Sequence, residues 1–507
     1  MNKKILLAIS SGILLGMPFC IPSLYFVIFF AWVPLLWLEE KTINHQNSYL
    51  LFNYAFLSFF VWNTMSYWWV GKAQITGVVL IILINSLLLA LIFWLISRSR
   101  KTLKISILFP FLIIWLGFEY FDTWWDLAWP WLNLGNAFAS APKWVQWYEF
   151  TGTRGGSFWV ILVNIAIYFL LKNPKKKPIL RTSGIVLLII IPLLFSLSLF
   201  YKTEKTNGSL CFALVQPNLD PYSEKFIPEK EEKHFRDFLK TADSICRIQA
   251  VDFLLGPETM ILESIDENNP NKSLYYSRLL NLKKEYPNTK ILLGTHSNIN
   301  SELYNSAIFI GDTLAPQFYH KTKLVPLFER IPFANYLSFL KDYSLNIGGF
   351  KATYSNKSDQ NYFFSDSIAV VPVLCFESIF GDYCAQRVPQ LPSFLCMLTN
   401  DGWWKNTPGY QHHFNFSRLR AIESRRDYIR VANNGISAHI DSKGTILAKS
   451  KWWKQTVLSG KLELRTRKTF YSQHGDSIGR VSLFIGILLL IFVKIRITTQ
   501  ENVKRRP

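Results

Sequence analysis

Residues 368–378 read IAVVPVLCFES, an apolar run that ends in a cysteine. Its valines and isoleucine are typical of a strand that is buried on both faces of a sheet. Cys375 would then lie at the carboxyl end of that strand, the edge at which ligands of α/β proteins gather. We interpret it as a candidate nucleophile, since a thiolate is reactive. A buried structural cysteine is the alternative, and Cys211 and Cys396, each within an apolar strand, fit that alternative better.

A carboxylate at another strand end and an amine in a further motif complete the candidate site. Glu258 closes the apolar stretch DFLLGPE (252–258), and Lys321 lies in FYHKTKLVPLFERIPF (318–333). A nucleophilic cysteine needs a base, and we expect the apolar setting of Glu258 to raise its pKa towards a useful range. The ammonium of Lys321 would stabilise the thiolate and then an oxyanion, although Lys323 is a rival for that role.

The segment that holds these residues alternates between two periodicities. Short stretches rich in β-branched and aromatic residues predict strands, and longer amphipathic segments predict helices. The predicted strands are 211–217, 252–258, 290–296, 305–311, 368–375, 394–400, 429–433 and 437–441. The predicted helices are 229–248, 272–286, 378–387 and 411–426. This alternation predicts an α/β layered domain in which both faces of a sheet are covered.

Eight apolar stretches surround this domain and predict an α-helical transmembrane bundle of eight spans. They are residues 5–19, 22–38, 50–70, 77–97, 105–122, 156–172, 183–200 and 478–495. With a cytoplasmic N-terminus, the inside segments carry 17 Lys and Arg residues, whereas the short outside loops carry only Lys72, Lys143 and Arg154. This positive-inside bias places both termini in the cytoplasm and the α/β domain outside it. We expect the first span to be retained, because Pro18 and Phe19 suit no cleavage site.

Composition agrees with a membrane protein that has a globular part. Half of the 507 residues are hydrophobic, 18% are charged and the net charge is +20. Many basic residues lie at the ends of apolar runs, where they orient helices, so we do not expect nucleic-acid binding. The six cysteines show neither CxxC nor Cys/His metal spacing, and no motif suggests a metal or an organic cofactor.

These motifs in this order resemble the nitrilase superfamily, and within it the bacterial apolipoprotein N-acyltransferase family. The supporting stretches are WPWLNLG (129–135), VQPNLDPYSEKF (215–226), GPE (256–258), YHKTKLVPLFERIP (319–332), LCFES (374–378), TNDGWW (399–404) and RVANNGISAHID (430–441). The resemblance covers the whole chain. It implies an αββα sandwich with a Glu258–Lys321–Cys375 triad, to which Glu329 and Glu377 add carboxylates and Phe376 a backbone oxyanion donor.

The resemblance also implies a reaction, its partners and a location. Cys375 would take an acyl chain from a phospholipid, phosphatidylethanolamine being typical, and pass it to the α-amine of S-diacylglyceryl-cysteine in an apolipoprotein. The implied location is the bacterial inner membrane, with a periplasmic catalytic domain and, we expect, a monomeric enzyme. Three segments follow: seven spans in 1–205, the catalytic domain in 206–474, and an eighth helix with a basic tail in 475–507.

Three positions depart from the pattern of the family. Phe376 stands where tyrosine is frequent, Leu327-Phe328 where Phe-Gly is common, and Phe226 in a segment that often holds a tryptophan. These departures concern substrate preference more than the class of reaction. We also expect residues 334–350, which mix apolar side chains with two glycines, to belong to a mobile lid.

Other functions compete with acyl transfer. A membrane-anchored amidohydrolase would share the triad but use water as the second nucleophile. A transporter or binding protein without catalysis is a further alternative, but intramembrane charges, which mark transport pathways, are few apart from Glu119 and Asp122. A Cys–His dyad would require one of His296, His320, His412, His413 or His439 near Cys375.

Overall fold

The computed structural model describes residues 3–43, 49–333, 354–357 and 361–504. The expected lid at 334–350 lies outside the described residues. The chain forms two compact units. The first comprises residues up to 71, residues 75–201 and those from 476 onward, and the second comprises residues 72–74 and 202–475.

The first unit is helical. Its helices are α1 (Lys3–Cys20), α2 (Val33–Thr42), α3 (Tyr49–Tyr67), α4 (Ile75–Leu103), α5 (Leu108–Phe121), α6 (Tyr148–Lys172), α7 (Pro178–Tyr201) and α13 (Ser477–Lys504). Among the described residues, six helical stretches are long and apolar enough to cross a membrane, with Pro22–Thr42 counted as one of them. α5 is apolar but has only 14 residues, and α3 is not among the six. Eight spans therefore remain a prediction.

Two glycines allow α5 and α13 to pack closely. A Cβ atom on Gly117 would lie 2.9 Å from the Cα atom of Leu483, and one on Gly479 would lie 2.7 Å from the Cβ atom of Tyr120. Small residues at such contacts are typical of membrane helices, because dispersion between closely packed backbones drives their association. The last helix of the chain is thus an integral part of the first unit.

Arg154 is not the outside-loop cation that the basic-residue count assumed. α6 begins at Tyr148, eight residues before the predicted span, so Arg154 lies inside the helix and is buried. Its guanidinium lies 3.2 Å from Glu119 Oε2 and 3.0 Å from Asp476 Oδ2. The Glu119 carboxylate also accepts hydrogen bonds from Ser157 Oγ and Leu134 N. Ion pairing therefore explains why these charges are buried within an apolar unit.

The second unit holds thirteen described strands and five helices. The strands are β1 (Ser209–Gln216), β2 (Phe253–Leu255), β3 (Ile261–Asp266), β4 (Lys290–Ile299), β5 (Glu302–Ile310), β6 (Pro316–His320), β7 (Phe363–Ser365), β8 (Ile368–Leu374), β9 (Ser393–Thr399), β10 (Tyr428–Ala432), β11 (Ala438–Ile440), β12 (Ile446–Lys449) and β13 (Thr456–Glu463). The helices are α8 (Pro228–Ile248), α9 (Leu274–Glu285), α10 (Gly381–Gln386), α11 (Pro408–Ser424) and α12 (Phe470–His474). Each of the eight predicted strands and four predicted helices overlaps one of these elements.

The strands form two sheets with mixed directions. One has the order β13-β1-β2-β4-β5-β6, with β3 paired to β4, and the other has the order β12-β11-β10-β9-β8-β7. At the centre of the second sheet, β9 is parallel to both β8 and β10. The carboxyl ends of these parallel strands therefore meet at one edge, where Cys375 and Asp401 follow β8 and β9.

Three apolar clusters place four layers in the order helix, sheet, sheet, helix. The central cluster joins side chains of both sheets, including Phe253 and Phe309 from the first and Phe394 and Ile429 from the second. A second cluster packs α8 and α9 on the outer face of the first sheet. A third packs α10 and α11 on the outer face of the second sheet. This is the αββα arrangement that the resemblance implies.

Removal of one phenyl ring from the central layer tests this packing. Phe394 is fully buried, and its ring meets that of Phe253 edge-on at 5.2 Å. We expect Phe394→Ala to lower the free energy of unfolding by about 3–5 kcal/mol, because it leaves a cavity between the sheets. Urea unfolding of the full-length protein in detergent, followed by near-ultraviolet circular dichroism, measures the change. Phe364→Ala is the control, because that ring on β7 is 47% exposed. Equal losses in the two variants would contradict a core between the sheets.

Candidate active site

Three strand ends of the second unit supply the candidate catalytic side chains. Glu258 follows β2, Lys321 directly follows β6 and Cys375 directly follows β8. β2 and β8 are apolar and largely buried, whereas β6 (PQFYH) is partly polar and is buried only at its last two residues. The backbone is left-handed at Thr259 (φ 48°), after β2, and at Cys375 (φ 44°), after β8. Non-glycine residues with positive φ are uncommon and cluster at functional sites.

Lys321 lies between two carboxylates. Its Nζ atom is 3.0 Å from Glu258 Oε1 and 2.7 Å from Glu329 Oε1. The amide of Asn305 donates to the same two oxygens, over 3.0 and 3.2 Å. The second oxygen of Glu329 accepts a hydrogen bond from Val325 N. The structure thus brings Glu258, Lys321 and Glu329 into one cluster.

The charges in this cluster reverse one expectation from the sequence. Burial alone raises the pKa of Glu258, but the Lys321 ammonium, the Asn305 amide and the charge of Lys225 together hold it below its usual value. The expected upward shift of this pKa is therefore wrong. Burial lowers the pKa of Lys321, yet the Glu258 and Glu329 carboxylates raise it well above the ordinary range. The two groups are a carboxylate and an ammonium at neutral pH.

Cys375 presents a neutral thiol to this ion pair. Its surroundings raise the pKa of the thiol, first by desolvation and then through the Glu258 carboxylate, while the Lys321 ammonium opposes the rise. The residue remains partly exposed, whereas Cys384 and Cys396 are buried. A thiol with a raised pKa needs a base at the moment of attack, and the nearby Glu258 carboxylate is the candidate for that base.

Glu377 joins the segment after β6 to the segment after β8. One carboxylate oxygen accepts hydrogen bonds from Tyr319 Oη (2.7 Å) and Thr322 N (2.7 Å). The other accepts from Leu374 N at 2.8 Å. Because the bonded groups flank Lys321 and Cys375 in the chain, Glu377 fixes the spacing of ammonium and sulfur. Its position indicates a positioning role.

The three departures from the family pattern have local structural counterparts. The buried Phe376 ring packs edge-on against Phe380, with centroids 5.4 Å apart. In the Leu327-Phe328 pair, Leu327 has a left-handed backbone (φ 69°), which residues other than glycine seldom adopt. Phe226 stacks on Trp403, with centroids 5.2 Å and planes 20° apart.

Sequence reasoning missed two polar residues of this cluster. Asn305 was within a predicted strand, with no sign that its amide reaches both carboxylates. Lys225 lies in the stretch VQPNLDPYSEKF, where its sequence context does not distinguish it from a solvated lysine. Its buried Nζ atom donates to the Glu258 carbonyl oxygen at 2.7 Å. Desolvation lowers the pKa of Lys225 to about 7, against the opposing effects of Glu258 and Cys375.

The histidines and the rival lysine take other positions. His413 Nε2 lies 3.1 Å from the backbone carbonyl oxygen of Cys375. The Nζ atom of Lys323 lies 4.9 Å from the centre of the Phe380 ring. Within the described ranges, no group of three or more His, Cys, Asp or Glu residues could hold a metal ion. The geometry supports nucleophilic chemistry by a thiol that has a carboxylate base and an ammonium beside it.

Several curated relatives match nearly the whole chain. Apolipoprotein N-acyltransferase of Chlorobaculum tepidum is 28% identical, with 97% of each chain covered. The proteins of that name in Geobacter metallireducens and Rickettsia typhi are each 26% identical, with coverage of 94% and 96% of this chain and 92% and 96% of theirs.

Solved structures match about half of the chain, at lower identity. A CN-hydrolase superfamily protein of Xanthomonas campestris has a TM-score of 0.36 at 15% identity and covers 50% of this chain and 91% of its own. An amidase of Nesterenkonia from the nitrilase superfamily, solved as a cysteine-to-alanine mutant, has a TM-score of 0.38 at 11% identity and covers 55% and 99%.

Two family models divide the chain between them. The apolipoprotein N-acyltransferase N-terminal domain matches residues 11–166, and the carbon-nitrogen hydrolase model matches residues 212–470. The second match alone spans more than half of the 507 residues and contains every candidate site residue described above. The chain therefore belongs to the carbon-nitrogen hydrolase family and carries, ahead of that domain, the N-terminal domain of the apolipoprotein N-acyltransferases.

Proposed function

We propose that the protein is an apolipoprotein N-acyltransferase that works through a Cys375 thioester. The observation that carries this proposal is the Glu258–Lys321–Glu329 cluster acting on the Cys375 thiol. The names of its full-length relatives and the match to the N-terminal acyltransferase domain favour a lipid substrate over a soluble amide. The proposed donor is a phospholipid, phosphatidylethanolamine in the first instance, and the proposed acceptor is a diacylated apolipoprotein.

In the first half-reaction, the Glu258 carboxylate removes the thiol proton as Cys375 Sγ attacks the ester carbonyl carbon. Lys321 has three N–H donors, and its two carboxylate contacts leave one for the oxyanion. The Phe376 N–H is the proposed second donor. When the intermediate collapses, the ester C–O bond breaks, Glu258 returns the proton to the leaving alkoxide, and a lysophospholipid departs.

In the second half-reaction, the neutral α-amine of the acceptor attacks the thioester carbonyl. Glu258 takes a proton from the attacking nitrogen, the C–S bond breaks, and the proton passes to the Cys375 thiolate. The products are an N-acylated lipoprotein and the free enzyme. Glu329 and Glu377 are proposed as positioning residues, because the first binds the ammonium of Lys321 and the second joins the two flanking segments.

We further propose the bacterial inner membrane as the location, with eight spans, cytoplasmic termini and a periplasmic catalytic domain in a monomeric enzyme. Support comes from the apolar helices and the positive-inside bias.

Two cysteine variants test this orientation at exposed positions: Lys461→Cys on β13 and Lys175→Cys between α6 and α7. A membrane-impermeant maleimide should label only Lys461→Cys in intact spheroplasts and both variants after lysis, against an unsubstituted background. The reverse pattern would overturn the orientation.

A two-stage assay tests the reaction itself. The protein is incubated with labelled phosphatidylethanolamine, and a diacylated lipopeptide with a free N-terminal amine is then added. We expect a labelled, hydroxylamine-sensitive thioester that disappears as triacylated peptide forms. Cys375→Ala should abolish the adduct, because it removes the nucleophile, whereas Cys396→Ala in the core should retain it. Free fatty acid without labelled peptide would indicate a hydrolase instead, and no adduct at all would exclude the thioester.

The same assay separates the two neighbouring lysines. Lys321→Met should slow thioester formation by about 10²–10³-fold, the usual cost of losing an oxyanion donor. Lys323→Met is the matched control and should retain most of the rate. The Lys323 ammonium lies over the Phe380 and Tyr383 rings, whereas that of Lys321 contacts the Glu258 and Glu329 carboxylates. A larger loss in Lys323→Met than in Lys321→Met would reverse the assignment.

The two half-reactions should respond differently to pH. Because the pKa of Glu258 is lowered, its basic form persists on the acid side, and thioester formation should change little between about pH 5 and 8. Amide formation needs a neutral α-amine, whose pKa is about 7.7–8.0, so its rate should fall about tenfold for each pH unit below that range. Single-turnover measurements of each stage provide the test. An acid limb near pH 6.5 in thioester formation would show that Glu258 is not a base with a lowered pKa.

A further inference from the structure

A serine, a histidine and an aspartate form a buried chain of hydrogen bonds behind the candidate nucleophile. Ser378 Oγ lies 2.9 Å from His413 Nε2, and His413 Nδ1 lies 2.9 Å from Asp401 Oδ1. All three side chains are fully or almost fully enclosed. The chain of bonds ends at Cys375, whose carbonyl oxygen is 2.9 Å from Ser378 Oγ and 3.1 Å from His413 Nε2. We call these three residues the carbonyl relay.

Asp401 fixes the orientation of the relay. Its second oxygen accepts a hydrogen bond from Arg430 at 2.5 Å, and its first accepts one from Thr399 Oγ1 at 3.2 Å. The carboxylate beside His413 Nδ1 requires a hydrogen on that nitrogen, so in the neutral ring Nε2 is an acceptor. Burial lowers the pKa of His413, which favours this neutral form. The Ser378 hydroxyl then donates one hydrogen towards Nε2 and the Cys375 carbonyl oxygen.

The three residues resemble the serine, histidine and aspartate of a hydrolytic triad, but the serine hydroxyl is not accessible to a substrate. Ser378 is completely buried, and its hydroxyl contacts the main chain of the nucleophile. The relay therefore acts on the peptide group that joins Cys375 to Phe376. A trans peptide is planar, with its C=O and N–H pointing in opposite directions. Anchoring the carbonyl on one side consequently aims the Phe376 N–H towards the other.

The backbone at Cys375 needs such an anchor. Its φ of 44° lies in a region that residues other than glycine seldom occupy, so neighbouring contacts must maintain it. Glu377 holds the Val373–Leu374 peptide, one residue before Cys375, through Leu374 N, and the relay holds the peptide after Cys375. Asp401 also explains a glycine nearby, because a Cβ atom on Gly435 would lie 2.3 Å from Asp401 Oδ2.

We propose that Ser378, His413 and Asp401 are positioning residues that set the oxyanion-binding direction of the Phe376 N–H by anchoring the Cys375 carbonyl. This inference rests on the proposed acyl transfer, since it assigns a role in forming the thioester. The relay does not remove the thiol proton; Glu258 does. Loss of the relay should therefore slow acylation without a matching loss of thiol reactivity.

Two measurements on the full-length protein test the proposal. One is the single-turnover rate of thioester formation with labelled phosphatidylethanolamine vesicles, and the other is the rate of Cys375 alkylation by iodoacetamide. Ser378→Ala and His413→Leu should slow thioester formation by about 10–100-fold, less than the about 10²–10³-fold cost of losing an oxyanion donor outright. The apparent KM should stay within about twofold, because no substrate contact is removed. Alkylation should change by less than about threefold, because no oxyanion forms in that reaction.

Two further variants sharpen the test. His413→Gln retains, in its Oε1 atom, a hydrogen-bond acceptor for the Ser378 hydroxyl in place of Nε2, so it should recover most of the rate that His413→Leu loses. Ser417→Ala is the matched control, because that buried hydroxyl on the same helix contacts Met397 Sδ, at 3.7 Å, rather than the Cys375 peptide. It should leave both rates unchanged.

The possible results separate the relay from the proposed function. Absence of a phospholipid-derived thioester in the unchanged protein would overturn the function, and the relay with it. A normal thioester in that protein, formed equally fast by Ser378→Ala, would overturn the relay alone. Parallel losses of acylation and alkylation would also overturn it, because the relay would then act on thiol ionisation. If His413→Leu does not fold, Ser378→Ala decides; unfolding of Ser378→Ala beside a folded Ser417→Ala would show a purely structural role.

Discussion

The contact on which the site depends is a buried ammonium shared by two carboxylates. Isolated charges are costly to bury, and the Lys321 ammonium, which lies between Glu258 and Glu329, offsets much of that cost for the Glu258 carboxylate inside the domain. Asn305 bonds both carboxylates and fixes their separation. Burial and the Glu258 carboxylate raise the pKa of the Cys375 thiol against the opposing Lys321 ammonium, so the thiol stays protonated beside an ionised carboxylate.

The positions of Glu258 and Cys375 could be predicted from sequence because each follows an apolar strand. A strand that stops at a polar residue marks an edge of the sheet, and Glu258 and Cys375 satisfy that pattern, whereas Lys321 was proposed from the motif around it. Short or half-exposed strands carry no such signal, so β3, β6, β7, β12 and β13 were not predicted. β13 is exposed over much of its length, and β12 alternates between half-buried and exposed positions.

Properties that depend on distant partners could not be read from local patterns. The pKa of Glu258 is lowered by an ammonium 63 positions away in the chain, whereas its own segment suggested only burial. Lys225 resembles an ordinary solvated lysine in sequence, yet its amine binds the Glu258 carbonyl. Arg154 likewise resembles a loop cation in sequence, although its partners, Glu119 and Asp476, lie in elements far apart in the chain. In each case the tertiary fold determines which side chain is the partner, and the periodicity of the sequence does not reveal that partner.

The helical unit is built from both ends of the polypeptide, and this has a consequence for its biosynthesis. Gly117 and Gly479 bring α5 and α13 into close contact, and Arg154 is bonded to Asp476 at the start of α13. A ribosome makes α13 only after the whole sandwich has been translated. Until then α5 lacks its neighbour and Arg154 lacks one of its two acidic partners. The unit that is begun first is thus completed last, and a nascent chain that stops before α13 leaves the bundle open.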